Sequence, residues 1–104
     1  MAGNQNSQSE NQQSRIHAIV EGRVQGVGFR AYTQRQTEFH NLTGWVRNRW
    51  NGTVEVIAEG QRDNLNKFIK TIERGPFSGT TRKVVVEWGM PSGEFSYFNI
   101  RMTG

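Results

Sequence analysis

The stretches of this chain that repeat with a period of two each carry one dominant apolar face. Ile16, Ala18 and Val20 alternate with His17, Ile19 and Glu21, and Val84, Val86 and Trp88 share a side, as do Phe98, Ile100 and Met102. Strands of this kind belong in a sheet that is covered on one face. The cover has to come from helices, and two stretches supply them. Phe29 to Asn41 contains no Gly or Pro, and Asn41 suits a left-handed residue at a helix end. Further on, Leu65, Phe68, Ile69 and Ile72 fall at i, i+3, i+4 and i+7, with Asp63 placed to cap the helix and Gly75-Pro76 to stop it. Strands are predicted over Arg15–Arg23, Trp45–Trp50, Thr53–Glu59, Thr81–Trp88 and Phe95–Met102. Asn51-Gly52 predicts a two-residue hairpin turn between the second and third. The resulting order, β-α-β-β-α-β-β, predicts an α+β fold: a ferredoxin-like split βαβ sandwich, an antiparallel sheet with two helices on one face.

At 104 residues there is room for one domain and a modest core. Residues 1–14, MAGNQNSQSENQQS, are polar and of low complexity and are expected to be a disordered tail; the domain is expected over 15–104. The tail holds one acid and no Lys or Arg, so the domain is more basic than the net charge of +4 for the whole chain. No cysteine is present, which excludes a disulfide frame, a zinc-thiolate site and a thiol nucleophile. No apolar run is long enough to span a membrane, and no signal-peptide pattern is visible, so a cytoplasmic protein is expected.

The segment with the most chemistry in it is Gly22-Arg23-Val24-Gln25-Gly26-Val27-Gly28-Phe29-Arg30, between the first strand and the first helix. Its three glycines let the backbone turn sharply and aim successive N–H groups at one point. The helix start behind it adds unpaired N–H groups and the positive end of a dipole, an arrangement suited to an oxyanion. Arg30 can add a planar fork of donors. Taken alone, the loop could equally be a tight turn. Neither the Gly-Lys-Ser/Thr ending of nucleotide-triphosphatase loops nor the third glycine of the dinucleotide fingerprint is present. Asn48, on spacing alone, reads as a strand-end residue that bonds its own backbone.

GRVQGVGFR together with LTGWVRN (Leu42–Asn48), NGTVEV (Asn51–Val56) and AEG (Ala58–Gly60) resembles the acylphosphatases, over about Ile16 to Ile100. The resemblance implies a ferredoxin-like fold and hydrolysis of the carboxyl-phosphate bond of acyl phosphates, with no metal and no cofactor. It implies catalytic roles for Arg30 and Asn48. It also implies a phosphate cradle formed by the backbone of Gln25, Gly26, Val27, Gly28, Phe29 and Arg30. Thr37 and His40 stand where Ala and Leu often face the core in that family, Asn41 where Gly is common, and Arg49-Trp50 where smaller or acidic residues precede the turn. These departures bear on helix packing and stability more than on chemistry.

Two other readings compete. A nucleic-acid-binding module can have the same strand and helix order, but the outward positions of the first and third strands offer Glu21, Glu55 and Glu59 rather than stacking aromatics. An inactive accessory domain is the second, and the presence of both Arg30 and Asn48 argues against it. The expectation is therefore a monomer acting on a small acyl phosphate, with no nucleic acid and no membrane as partner. His17 and His40 are expected to be ordinary strand and helix residues, the three tryptophans core or half-covered sheet residues, and Glu55 and Glu59 part of a solvated sheet face.

Overall fold

A computed structural model describes residues 12–104. Its elements are β1 (Gln13–Arg23), α1 (Phe29–Phe39), β2 (Thr43–Asn48), β3 (Val54–Gln61), α2 (Arg62–Arg74), β4 (Thr80–Gly89) and β5 (Phe98–Ile100). The expected element order holds. Of the tail expected over 1–14, residues 1–11 lie outside the described residues; Gln13 and Ser14 belong to β1, where they pair with Gln61 and Gly60.

The sheet order is β4-β1-β3-β2-β5. β1 runs antiparallel to β3 and β4, and β2 antiparallel to β3, but β5 runs parallel to β2 with Phe98 beside Gly44. The sheet is thus mixed rather than wholly antiparallel. β4 finishes with Gly89 beside Arg15, at the end of the sheet where β2 begins, so a chain crossing there continues in the direction of β2. β5 is also shorter than expected: Phe98 is buried, whereas Ile100 and Met102 are exposed.

The core lies between the sheet and both helices. In the register, Ile16, Ala18 and Val20 of β1 stand opposite Ala58, Val56 and Val54 of β3, all fully buried. Leu65, Phe68 and Ile72 of α2 close on them, as the heptad spacing requires. The face of α1 is less apolar: Phe29 is followed at four-residue intervals by Thr33 and Thr37, both fully buried. His40 is the residue after this helix, half-buried; burial, then the charge of Lys67, holds its pKa below the ordinary value. Asn41 takes the left-handed conformation (φ 56°). Asp63 is not the cap of α2, since Gln61 is; Asp63 sits in the first turn and pairs with Lys67 at 3.2 Å.

The hairpin between β2 and β3 has three loop residues, Trp50, Asn51 and Gly52, rather than two. Arg49 N–H donates to the Thr53 carbonyl (2.8 Å), Gly52 N–H donates to the Arg49 carbonyl (3.1 Å), and Gly52 has φ 89°. This is a type I turn closed by a left-handed glycine. It leaves Trp50 exposed at the tip, while Trp45 is half-covered by the guanidinium groups of Arg47 and Arg101, and Trp88 by that of Arg62.

The outer face of the sheet departs most from expectation. Glu55 and Glu59 are 7 % and 4 % exposed, not solvated. Glu55 accepts from Arg47 Nε (2.8 Å), bonds His17 Nε2 (2.6 Å) and lies 3.3 Å from Arg49. Glu59 accepts from Arg15 (2.9 Å) and from the N–H groups of Ser92 and Gly93, which tie the β4–β5 crossing to β3. Burial pushes both pKa values up. For Glu55 the bonds from His17 and Arg47 outweigh it, and for Glu59 those from Ser92 and Gly93, so both end below the usual carboxylate range. The folded state therefore favours the ionised forms, and this stabilisation is lost as pH falls through the lowered values. Glu59→Gln should lower the stability measured by urea unfolding at pH 7 by about 1.5–3 kcal/mol. The gap to the parent should narrow as pH falls below the ordinary carboxylate range and through the lowered value, where Glu59 loses its charge; a gap of the same size at every pH would contradict the assignment.

Candidate active site

β1 and β2 both run antiparallel to β3, so their C-terminal ends emerge at the same end of the sheet. The glycine loop follows β1 there, and Asn48 is the last residue of β2. Gly26 and Gly28 have φ values of 72° and 77°, in the left-handed region that glycine enters without steric cost. Gly28 caps α1, and the first hydrogen bond of the helix runs from Tyr32 N–H to its carbonyl (2.9 Å). The N–H groups of Phe29, Arg30 and Ala31 thus precede the helical ladder. Among the described residues, no backbone N–H from Gln25 to Ala31 donates to a carbonyl outside a regular element.

These groups border a cavity of about 230 Å³. Gly26, Gly28, Arg30 and Asn48 supply its polar wall. Its apolar side comes from Val24, Phe29, Ala31 and Ile100. Arg30 is half-buried and has no carboxylate partner among the described residues. Asn48 Oδ1 is buried with no hydrogen-bond partner, an uncommon state for a polar atom that a ligand or water would relieve. The backbone of Asn48 is held from two sides, by pairing with Val54 and by Gly104 N–H on its carbonyl (3.0 Å).

The structure thus brings Arg30, Asn48, Gly26, Gly28 and Phe29 to one cavity. The other two residues expected there do not line it. The side chain of Gln25 turns to the hairpin and donates to the carbonyls of Arg49 (2.7 Å) and Thr53 (2.8 Å). Val27 packs against the core, and its carbonyl accepts from Ser78 Oγ (2.7 Å). Val24, Ala31 and Ile100 were not singled out from the sequence. Val24 and Ala31 flank the expected Gln25–Arg30 cradle, a signal that could have found them, whereas the position of Ile100 depends on the parallel pairing of β5.

A larger cavity, about 580 Å³, lies at the opposite end of the sheet, between Asn41, Gly60, Asn64 and Ser92. It contains the Glu59 carboxylate and, among the described residues, no Lys or Arg lines it, so it is poorly suited to an anion.

The acylphosphatase family profile matches residues 16–100. The chain belongs to the acylphosphatase family. It is 53 % identical over 83 residues to an acylphosphatase from Bacillus licheniformis, covering 79 % of this chain and 91 % of that one. It is 44 % identical over 87 residues to one from Pelotomaculum thermopropionicum, covering 84 % and 95 %. The crystal structure of the acylphosphatase from Bacillus subtilis superposes with a TM-score of 0.82 at 34 % identity, covering 85 % of this chain and 98 % of that one.

The two cavities make opposite predictions for an anion. In an NMR titration, inorganic phosphate should shift the amide resonances of Gly26 to Ala31 and leave those of Gly60 and Ser92 in place. Shifts confined to Gly60 and Ser92 would move the anion site to the other end of the sheet.

Proposed function

We propose that this chain hydrolyses acyl phosphates in the cavity between the glycine loop and Asn48. The backbone N–H groups of Gly26, Gly28, Phe29 and Arg30, with the Arg30 guanidinium, bind the phosphoryl oxygens, and the Asn48 side chain positions the attacking water. The observation that carries this reading is the convergence on one cavity of an unpaired guanidinium, a helix N-terminus and a buried, unpartnered Asn48 Oδ1.

The chemistry asks little more of the protein. The leaving group is a carboxylate, a weak base that departs without a general acid. The water oxygen bonds to phosphorus as the bond from phosphorus to the acyl oxygen breaks. The bonding electrons leave with the carboxylate, and the water proton passes to a phosphoryl oxygen. The protein has to neutralise phosphoryl charge and fix the line of attack, and positioning and electrostatics dominate phosphoryl transfer. Asn48 Oδ1 accepts a hydrogen bond from the water, which satisfies the buried acceptor and orients the water lone pair toward phosphorus. Arg30 supplies charge and a fork that matches two phosphoryl oxygens.

The experiment is a rate assay with benzoyl phosphate. Asn48→Ala should lower kcat by roughly 10²–10³, the usual effect of removing one preorganised polar group, and leave the phosphate inhibition constant nearly unchanged. Arg30→Ala should weaken phosphate inhibition and turnover together, and Arg30→Lys should recover little of either, because an ammonium lacks the fork. An Asn48→Ala variant that loses melting temperature but keeps parental kcat would assign this side chain to the turn instead.

Among the described residues, no group of three His, Cys, Asp or Glu is placed to hold a metal ion. Turnover should accordingly persist in excess chelator. Loss on chelation with rescue by a divalent cation would overturn the mechanism.

A further inference from the structure

We propose that Gln25 is a positioning residue, whose side-chain amide holds the neck of the β2–β3 hairpin, and Asn48 with it, at a fixed distance from the phosphate cradle. The inference rests on the water-positioning role of Asn48 given above.

Both hydrogens of Gln25 Nε2 are committed, to the carbonyls of Arg49 at 2.7 Å and Thr53 at 2.8 Å. Two acceptors at this distance require the nitrogen, not the oxygen, of the amide to face them. The carbonyls belong to the residues that close the hairpin, and Arg49 directly follows Asn48. A single side chain of the glycine loop therefore spans to the strand end that carries the second functional group.

The clamp is not needed to satisfy the hairpin. The Thr53 carbonyl already accepts from Arg49 N–H at 2.8 Å, and the Arg49 carbonyl from Gly52 N–H at 3.1 Å. Removing the amide leaves neither oxygen without a donor, so the cost to stability is small. Nor does the cradle depend on it. The far side of the loop is anchored separately, by buried Phe29, by Tyr32 N–H on the Gly28 carbonyl and by Ser78 Oγ on the Val27 carbonyl. What the clamp adds is a direct side-chain tie between the glycine loop and the strand end that carries Asn48. Phosphate touches only the cradle, whereas attack by water needs cradle and Asn48 together. Loss of the clamp should therefore appear in kcat and hardly at all in phosphate affinity.

Gln25→Met keeps the length of the side chain and removes both donors. With benzoyl phosphate, kcat should fall about 10- to 100-fold, the scale of a misplacement near 1 Å. The phosphate inhibition constant and the urea midpoint should stay close to the parent values. In an Asn48→Ala background the same substitution should have no further effect on kcat, because the group it positions is already gone. Gln25→Asn, one methylene too short to reach both carbonyls, should give an intermediate loss and serves as the test if Gln25→Met does not fold. Parental kcat in Gln25→Met overturns the proposal. So does an equal loss in both backgrounds, or a rise in the phosphate inhibition constant matching the loss in kcat, since either result places the effect in the cradle. If Asn48→Ala alone retains parental kcat, the role given to Asn48 fails first and this proposal fails with it.

Discussion

β3 lies between β1 and β2 and runs against both, and most of the molecule follows from that insertion. Because each neighbour is antiparallel to β3, β1 and β2 are parallel to one another, one strand apart. Their C-terminal ends share an end of the sheet, and the loop after one faces the last residue of the other across the tip of β3. The α1 N-terminus is brought to the same end, because α1 has to start where β1 stops and return along the sheet to where β2 begins. No single element contains the site. It exists because the chain order β1-α1-β2-β3 is folded into a spatial order with β3 in the middle.

Being central has a cost for β3, which is buried on both faces from Val54 to Gly60. The inner face carries Val54, Val56 and Ala58, and the outer face carries Glu55, Ile57 and Glu59. Two carboxylates on a buried face are tolerated because each has several donors. Those donors come from β1, from β2 and its hairpin, and from the crossing before β5, so the charges also bind neighbouring elements to the central strand. Such pairs contribute little net stability over an apolar face of equal volume, but breaking one partner is expensive.

The parts of this fold that depend on local chemistry were legible in the sequence. The alternation in β1, the stripe on α2 and the left-handed Asn41 need only their own neighbours to be read. So was the pairing of Arg30 with Asn48, through two motifs specific enough to be recognised together. Whatever depends on a distant partner was not legible. Glu55 and Glu59 look solvated because nothing in VEVIAEG announces the arginines that cover them. The exposure of Met102 and the place of Ile100 follow from β5 entering parallel to β2, which a three-residue strand does not signal. Gln25 was grouped with the cradle as part of a contiguous loop, yet its side chain turns away because two carbonyls lie within reach only once the hairpin is folded. The hairpin itself was one residue longer than Asn51-Gly52 suggested, since that pair also suits the end of a three-residue loop.

The two threonines on the buried side of α1 have a bearing on how the molecule opens. Thr33 Oγ1 is buried without a partner, and Thr37 Oγ1 turns back to the Gln34 carbonyl at 2.7 Å, so this face has less apolar surface to hold it down than the Leu65, Phe68 and Ile72 face of α2. Free energies of local opening follow the apolar contacts that are lost. Of the two helices, the one that forms the floor of the cradle is therefore expected to detach more readily in native fluctuations. Any anion held at its N-terminus binds the docked helix and not the detached one, and so suppresses this opening by mass action. Ligand and helix thereby reinforce each other, and the slowest amide exchange in α1 becomes a measure of how full the cavity is.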